Sequence, residues 1–245
     1  MTKALILAAG VASRLRPLTD ETPKCLLDIG GKCILERMID NLTGNGVTSF
    51  VIVTGYLDHL IRDFVTRRFP DINVEFVHNP VYDSTNNIYS LWLARDAMRG
   101  HAMLLLDSDI LFAPEIVGAL LAAPQDNCLA LRRGPVGDEE IKVLLGPDER
   151  VREISKTVPV GDAAGESIGI ERFSPSWVRA MYALLERMIT HEGRSGIFYE
   201  AAFEEMIEQG HVVYAVDVSA WPCMELDTVD DVLHARTVLA PLLHD

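Results

Sequence analysis

Small residues, fixed cations and paired acids stand in this chain at spacings that can do chemistry. Leu7, Ala8, Ala9, Gly10, Ala12 and Ser13 follow the short apolar run that starts at Leu5; Arg14 comes next, and Lys24 follows Pro23. A buried strand that breaks into small residues lets its backbone approach a ligand closely, and the N–H groups of such a loop can point at phosphate oxygens. Arg14 and Lys24 can neutralise charge on a departing pyrophosphate, so the ligand that suits the stretch is a nucleoside triphosphate. The loop lacks the Gly-Lys-Ser/Thr ending of a P-loop and the three-glycine fingerprint of a dinucleotide site.

Asp107 and Asp109 end the unbroken apolar run Met103 to Leu106, where carboxylates have no packing role. Oxygen ligands of this kind suit Mg²⁺, which takes one or two carboxylates and fills its shell with phosphate oxygens. Capping of the segment that follows accounts for them equally well. Glu225 and Asp227 bring alternate carboxylates to one side of an extended stretch, and by themselves they read as a solvated helix start with Asp227 as its cap. Asn79, Asn86, Asn87 and Ser90 lie next to a strand end, where amides can read the Watson–Crick edge of a base and where Thr85 or Asn86 can equally cap a helix. Glu200 with Tyr199 and Trp221 could receive an amine or a quaternary ammonium by charge and cation–π attraction, although such aromatics are more often core or rim. His78, His101 and His211 have no ligand spacing.

The elements that must position these residues follow from periodicity. Ile34, Leu35, Met38, Ile39 and Leu42 recur at helical spacing, Ser49 to Val53 reads as a strand opening into a Gly55 turn, and Leu57 to Phe69 reads as a second helix. Val74 to Val77 is a third strand, Ile88 to Met98 a helix, and Met103 to Leu106 a central strand covered on both faces. Three strand-then-helix units predict a parallel sheet with helices on both sides, and ligands in such sheets sit beyond the strands' carboxyl ends. That rule gathers the Gly10 loop, the Gly55 turn, the Asn86 region and Asp107 to Asp109 on one rim. Short strands at Cys128 to Leu131, Lys142 to Leu145, Val151 to Ile154 and Ser167 to Phe173 suggest a β-rich, partly antiparallel insertion over 128–173. Helices at Trp177 to Met188 and Tyr199 to Ile207, a strand at Val212 to Val218 and a closing helix at Val229 to Leu239 finish the pattern.

With 245 residues, nearly half of them apolar, the chain can bury a sizeable core as a single domain. The net charge of −14 argues against a general nucleic-acid or anionic-membrane surface, so an anionic substrate must meet a local basic cluster inside an acidic protein. Cys25, Cys33, Cys128 and Cys223 have neither zinc spacing nor the density of a disulfide framework, and they read as reduced thiols. No leader pattern and no run approaching a membrane span is present, and the expected compartment is the cytoplasm.

The stretch from Leu7 to Lys32 resembles the signature of nucleotidyltransferases that join a nucleoside monophosphate to a phosphorylated acceptor: Leu-Ala-Ala-Gly-x-Gly-x-Arg-Leu, Pro-x-Thr, Pro-Lys, Gly-Lys. Leu7 to Leu15, Pro17 to Thr19, Pro23-Lys24 and Gly31-Lys32 follow it in order, with Ala12 at the usual second glycine. A methyl group there costs little at negative φ and more if the loop needs positive φ. The resemblance implies a Rossmann-like, three-layer α/β/α fold with a mostly parallel mixed sheet. It implies Arg14 and Lys24 as catalytic groups, and a nucleotide site of Leu7, Ala8, Ala9, Gly10, Ala12, Ser13, Asn79, Asn86, Asn87, Ser90 and Asp107. Mg²⁺ would rest on Asp109 and Asp227. Asn79-x-x-Tyr82 followed by Asn86-Asn87-x-Tyr89-Ser90-Leu91 is similar to the segment of cytidylyltransferases that use phosphocholine or aminoalkylphosphonates. Ile154 to Lys156 and Gly165 to Gly169 resemble stretches that, in the phosphonate branch, bring Lys156 to the acceptor's phosphorus oxygens with Glu166 nearby; Tyr89, Tyr199, Glu200, Trp221 and Glu225 would complete that side. The implied activity is transfer of CMP from CTP to a small phosphorylated or phosphonylated acceptor, without nucleic-acid or membrane partners. A sugar-1-phosphate nucleotidyltransferase is the neighbouring alternative, and a non-catalytic nucleotide-binding regulator is kept open by Ala12.

Overall fold

A computed structural model describes residues 2–243. The chain opens with β1 (Thr2–Ala8), makes two single 3₁₀ turns and forms a tight hairpin of β2 (Asp28–Ile29) and β3 (Lys32–Cys33). Helix α1 (Ile34–Gly44), strand β4 (Ser49–Thr54), helix α2 (Asp58–Arg68), strand β5 (Asn73–His78) and helix α3 (Asn87–Leu93) follow. Next come β6 (Ala102–Asp107), β7 (Ile110–Phe112), α4 (Pro114–Ala122), β8 (Cys128–Arg133), β9 (Lys142–Leu145), β10 (Val151–Ser155) and β11 (Gly165–Phe173). The chain continues through α5 (Pro175–Thr190), α6 (Glu200–Glu208), β12 (Tyr214–Asp217), β13 (Cys223–Glu225) and α7 (Val229–His234), beyond which the last helix widens into a π-helical turn over Ala235–Leu239.

Strands β5, β4, β1 and β6 lie side by side in that order, all parallel, and β11 then runs antiparallel along β6. Because β1 is covered on both faces, its side chains divide by parity. Leu5 and Leu7 join the core under α3, α5 and α6, while Ala4, Ile6 and Ala8 join the core under α1, α2 and α4. The chain reverses its direction of travel across the sheet between β1 and β6, the place where open α/β sheets bind ligands. The strands expected as an insertion extend this same sheet: β8 and β9 pair with β11, β10 with β9, and β12 runs parallel to β8.

A local expectation changes. Helix α3 stops at Leu93 and the chain turns on through Gly100 instead of staying helical to Met98. The segment after Asp109, which carries no clear period, folds as β7 and α4, and β7 pairs antiparallel with β13 so that Ile110 faces Glu225. Cys25, Cys33, Cys128 and Cys223 are all buried and none is in a disulfide. Among the described residues no helix is long and apolar enough to cross a membrane.

A third apolar cluster ties the ends of the chain together. Leu15, Leu27 and Ile29 from the N-terminal loop pack with Leu226, Val232, Ala235 and Leu239. Leu226 is fully buried and its N–H donates to the Asp109 carbonyl at 3.0 Å. In the loop itself, Ala12 adopts φ 51°, ψ 50°, the left-handed conformation that favours glycine, and its carbonyl is held by the Thr19 hydroxyl at 3.0 Å.

Truncating Leu226 to Ala is expected to cost about 2–5 kcal/mol in urea unfolding, as for other buried leucines; a loss below about 1 kcal/mol would mean the cluster collapses around the gap. For Ala12→Gly, about 1–2 kcal/mol of left-handed strain is relieved against about 0.4–1 kcal/mol of added unfolded-state entropy. The expected result is a stability equal to the parent or higher by up to about 1.5 kcal/mol, and a clear destabilisation would contradict it.

Candidate active site

A cavity of about 410 Å³ opens at the carboxyl ends of β1 and β6. One wall is the loop after β1: Leu7, Ala8, Ala9, Gly10, Ala12 and Arg14 all line it. The loop is braced from β4. Tyr56 donates its N–H to the Ala9 carbonyl at 3.1 Å, and a Cβ on Gly55 would fall 2.7 Å from that same oxygen and 2.7 Å from Tyr82 Cβ. Only glycine lets these three segments meet.

Lys24, on the short turn behind Pro23, reaches across the cavity floor. Its Nζ donates to Asp109 Oδ2 at 2.8 Å and to Asp227 Oδ1 at 2.9 Å, and Arg14 Nη2 binds Asp227 Oδ2 at 2.8 Å. The Lys24 side chain is 11% exposed against 69% for Arg14. The Lys24 pairs are therefore the ones made in a poorly solvated place, where an unpartnered charge would be costly. Burial alone would lower the Lys24 pKa, but Asp109 and Asp227 outweigh it and hold the ammonium above the ordinary lysine value. For Asp227 burial pulls upward, and Lys24 with Arg14 bring the carboxyl below the usual range.

The capping alternatives for these acids give way to other residues. Thr228 caps α7, accepting from the Asp231 N–H at 3.2 Å, while Asp231 returns bonds to the N–H groups of Asp227 and Thr228. Asp227 is thereby left to face the cavity. Helix α4 has Ala113 as its N-cap and Pro114 in its first turn, so neither Asp107 nor Asp109 caps it. Glu225, on β13, stands beside both acids, and one carboxylate oxygen each from Asp109, Glu225 and Asp227 lies within 4.8 Å of the others. Burial, then the charges of Asp109 and Asp227, pushes Glu225 up to about 7.

A second acidic group sits behind the strand ends. Tyr199 is fully buried and donates its hydroxyl to Asp107 Oδ2 at 2.9 Å. Burial, then Asp109, Glu200 and Glu171, raises Asp107 well above the ordinary aspartate value, and burial pushes Glu200 up to about 7. The register of β11 on β8 shifts between Ser167 and Glu171, and Gly169 occupies the shift at φ 70°. A Cβ there would lie 2.8 Å from Asp107 Oδ2.

On the opposite wall, Asn79 is nearly fully buried and serves its own loop: its amide donates to Thr85 and Ser90 at 3.2 and 3.1 Å, and its oxygen accepts from the Val81 N–H at 3.0 Å. Asn86 caps α3 through its oxygen at 2.7 Å, and the Asn87 oxygen accepts from the Tyr199 N–H at 2.9 Å. Thus the helix-cap alternative for Asn86 holds, and the residue lines the cavity as well.

Most of the residues singled out in the sequence meet here. Asn86, Asn87, Ser90, Lys156, Glu166, Glu200 and Glu225 line the cavity along with Asp107, Asp109 and Asp227. Ser13 lies in the loop between lining neighbours without joining the wall. Three aromatics do not line it. Tyr199 is core, Tyr89 lies against Trp92 in a tilted pair with centroids 5.2 Å apart, and Trp221 packs among apolar residues between two core clusters. Glu166 is ion-paired to Arg132, and Lys156 pairs with Glu139 at 3.4 Å with its Nζ 5.2 Å from the Phe198 ring centre. Glu139, Glu140 and Phe198 were not foreseen. They sit on irregular loops without a period.

Over 131 residues, 54% of its length, the chain is 34% identical to the CMP-5'-(3-aminopropyl)phosphonate synthase of Streptomyces rubellomurinus, of whose length it spans only 21%. It is 26% identical over 251 aligned positions to the CTP:phosphoglutamine cytidylyltransferase of Campylobacter jejuni, covering 93% of this chain and 96% of that one. The structure of the CTP:phosphocholine cytidylyltransferase from Streptococcus pneumoniae superposes with a TM-score of 0.77 at 23% identity, covering 97% of this chain and 99% of the other, and so shares its fold. Residues 4–205 match the MobA-like NTP transferase domain, and the chain therefore belongs to that family of nucleotidyltransferases.

Proposed function

We propose that this enzyme transfers CMP from CTP to a small phosphorylated or phosphonylated acceptor and releases pyrophosphate. The observation that carries the reading is the meeting of Lys24 with Asp109 and Asp227 beside a small-residue loop that follows a buried strand. A triphosphate laid along that loop would bring its phosphates to Lys24 and Arg14, two cations that stabilise charge moving onto the leaving pyrophosphate. The acceptor oxygen is already ionised near neutral pH and needs no general base.

The donor set fits Mg²⁺. Asp109, Glu225 and Asp227 offer hard oxygen ligands close to one another, and Asp109 Oδ1 is buried with no hydrogen-bond partner among the described residues. These three would hold the ion, which would supply positive charge to the phosphate oxygens. Lys24, which now spans two of those acids, would turn toward the phosphates.

Cytosine is favoured by how the amides are committed. Asn86 and Asn87 use their oxygens within the protein, so what each can turn to a base is its NH₂ donor. Donors complement the O2 and N3 acceptors of cytosine, whereas uracil presents an N–H at position 3. The names of the similar proteins support the same nucleotide. On the acceptor side Lys156, which lines the cavity, would leave Glu139 to meet a phosphate or phosphonate.

Pyrophosphate release measured with CTP, UTP, dTTP and GTP over a panel of acceptors is expected only with CTP and a small phosphate or phosphonate; turnover confined to hexose phosphates would overturn the reading. Lys24→Ala is expected to lower kcat/KM by about 10³-fold, equivalent to about 4 kcal/mol of transition-state stabilisation. Retention of more than about a tenth of the activity would remove Lys24 from the mechanism. Chelation of divalent ions should stop turnover and added Mg²⁺ should restore it, with Asp227→Asn requiring more Mg²⁺ for half-maximal rate.

A further inference from the structure

The acceptor end of the cavity has an acidic floor made of unusually buried groups. Glu200 lines the cavity while only 7% exposed, and its Oε2 has no hydrogen-bond partner among the described residues. Behind it Glu171 is fully buried; Ser167 donates to its Oε1 at 3.3 Å, and its Oε2 is likewise without a partner. Asp107 completes the group with one oxygen on the Tyr199 hydroxyl, and the missing side chain at Gly169 keeps that carboxylate open to the cavity. Lys156 is the cation that bears on Glu200, but its ammonium is already shared between Glu139 and the Phe198 ring.

Carboxylate oxygens taken out of water without donors are costly, and a bound ligand that brings donors removes that cost. Resting on the transferase reading above, we propose that Glu200, backed by Glu171 and Asp107, receives a primary ammonium at the far end of the acceptor and selects it over a quaternary ammonium. A primary ammonium carries three N–H donors and can satisfy the orphaned oxygens, whereas a trimethylated nitrogen carries none. Quaternary nitrogens are held instead by the faces of several aromatic rings. The aromatic residues lining this cavity are Tyr82 and Phe198, and Lys156 is already over the Phe198 ring. Tyr89, Tyr199 and Trp221, the other aromatics of the region, do not line it.

The test compares acceptors that differ only in three N-methyl groups: phosphoethanolamine against phosphocholine, and 2-aminoethylphosphonate against its trimethylammonium analogue. With CTP in excess, kcat/KM is expected to favour the primary amine by at least about 100-fold, with about 10⁴-fold as the figure for sites built to hydrogen-bond a substrate group. Glu200→Gln should raise KM for the amine at least about tenfold, leave KM for CTP and the thermal midpoint near the parent values, and shrink the preference. Glu171→Gln, which never touches the ligand, should shrink it less. Equal kcat/KM for the paired acceptors, a preference for the quaternary compound, or a preference unchanged in Glu200→Gln would overturn the proposal while leaving the transferase reading intact. Absence of pyrophosphate with every acceptor would sink the transferase reading instead, and calorimetric titration of the same pairs would then decide the subsite by their ratio of affinities.

Discussion

The contact on which the rest depends is the ammonium of Lys24 held between the carboxylates of Asp109 and Asp227. Acidic residues exceed basic ones by 14 in this chain, and three carboxylates converge at the end of a buried sheet. Without a cation among them their mutual repulsion and desolvation would oppose folding. Lys24 supplies that charge, and in doing so it ties together three segments remote in sequence: the N-terminal loop, the end of β6 and the stretch before α7. The apolar cluster around Leu226 and Leu15 makes the same connection by packing. Electrostatics and burial thus hold the same two ends in one place.

The sheet decides what each side of the cavity can be. Three of the four parallel strands, β1, β4 and β6, are buried along most of their length with β5 at the exposed edge, and they supply loops with backbone groups suited to phosphates. Beyond β6 the direction reverses, and antiparallel β11 brings side chains along its length to the same rim. The bulge at Gly169 turns β11 so that Asp107, Glu171 and Glu200 become neighbours. One half of the cavity therefore sets two cations, Lys24 and Arg14, among three carboxylates, and the other is acidic at its floor.

Ala12 illustrates how a departure from a pattern can be absorbed. Its left-handed conformation carries a strain that glycine would avoid. The fold meets it with the Thr19 bond to its carbonyl, the Leu15 N–H bond to the same oxygen at 3.0 Å and packing against the Leu15 cluster. The loop still lines the cavity in the manner its motif implies, which removes the structural ground for reading the chain as a binding protein that has lost its site.

The amino-acid sequence by itself determined the parallel half of the fold and the residues at its strand ends. Apolar runs, their periods and a contiguous loop motif are local signals, and Lys24, Asp109 and the Gly10 loop are legible from them. It also determined that the site would be a local concentration of charge in an acidic protein. What only the tertiary structure decided is partnership. That Thr228 rather than Asp227 caps the last helix, that Glu225 faces Ile110 across a two-strand ribbon, and that Tyr199 is a buried donor to Asp107 all depend on contacts between segments about 90 residues apart or more, or on competition between neighbouring caps. The same holds for the strands 128–173, which read as an insertion because what joins them to the parallel strands is the pairing of β11 with β6, a strand outside their own stretch of chain. Periodicity reports which face of an element is buried, and it carries no record of which distant element does the burying.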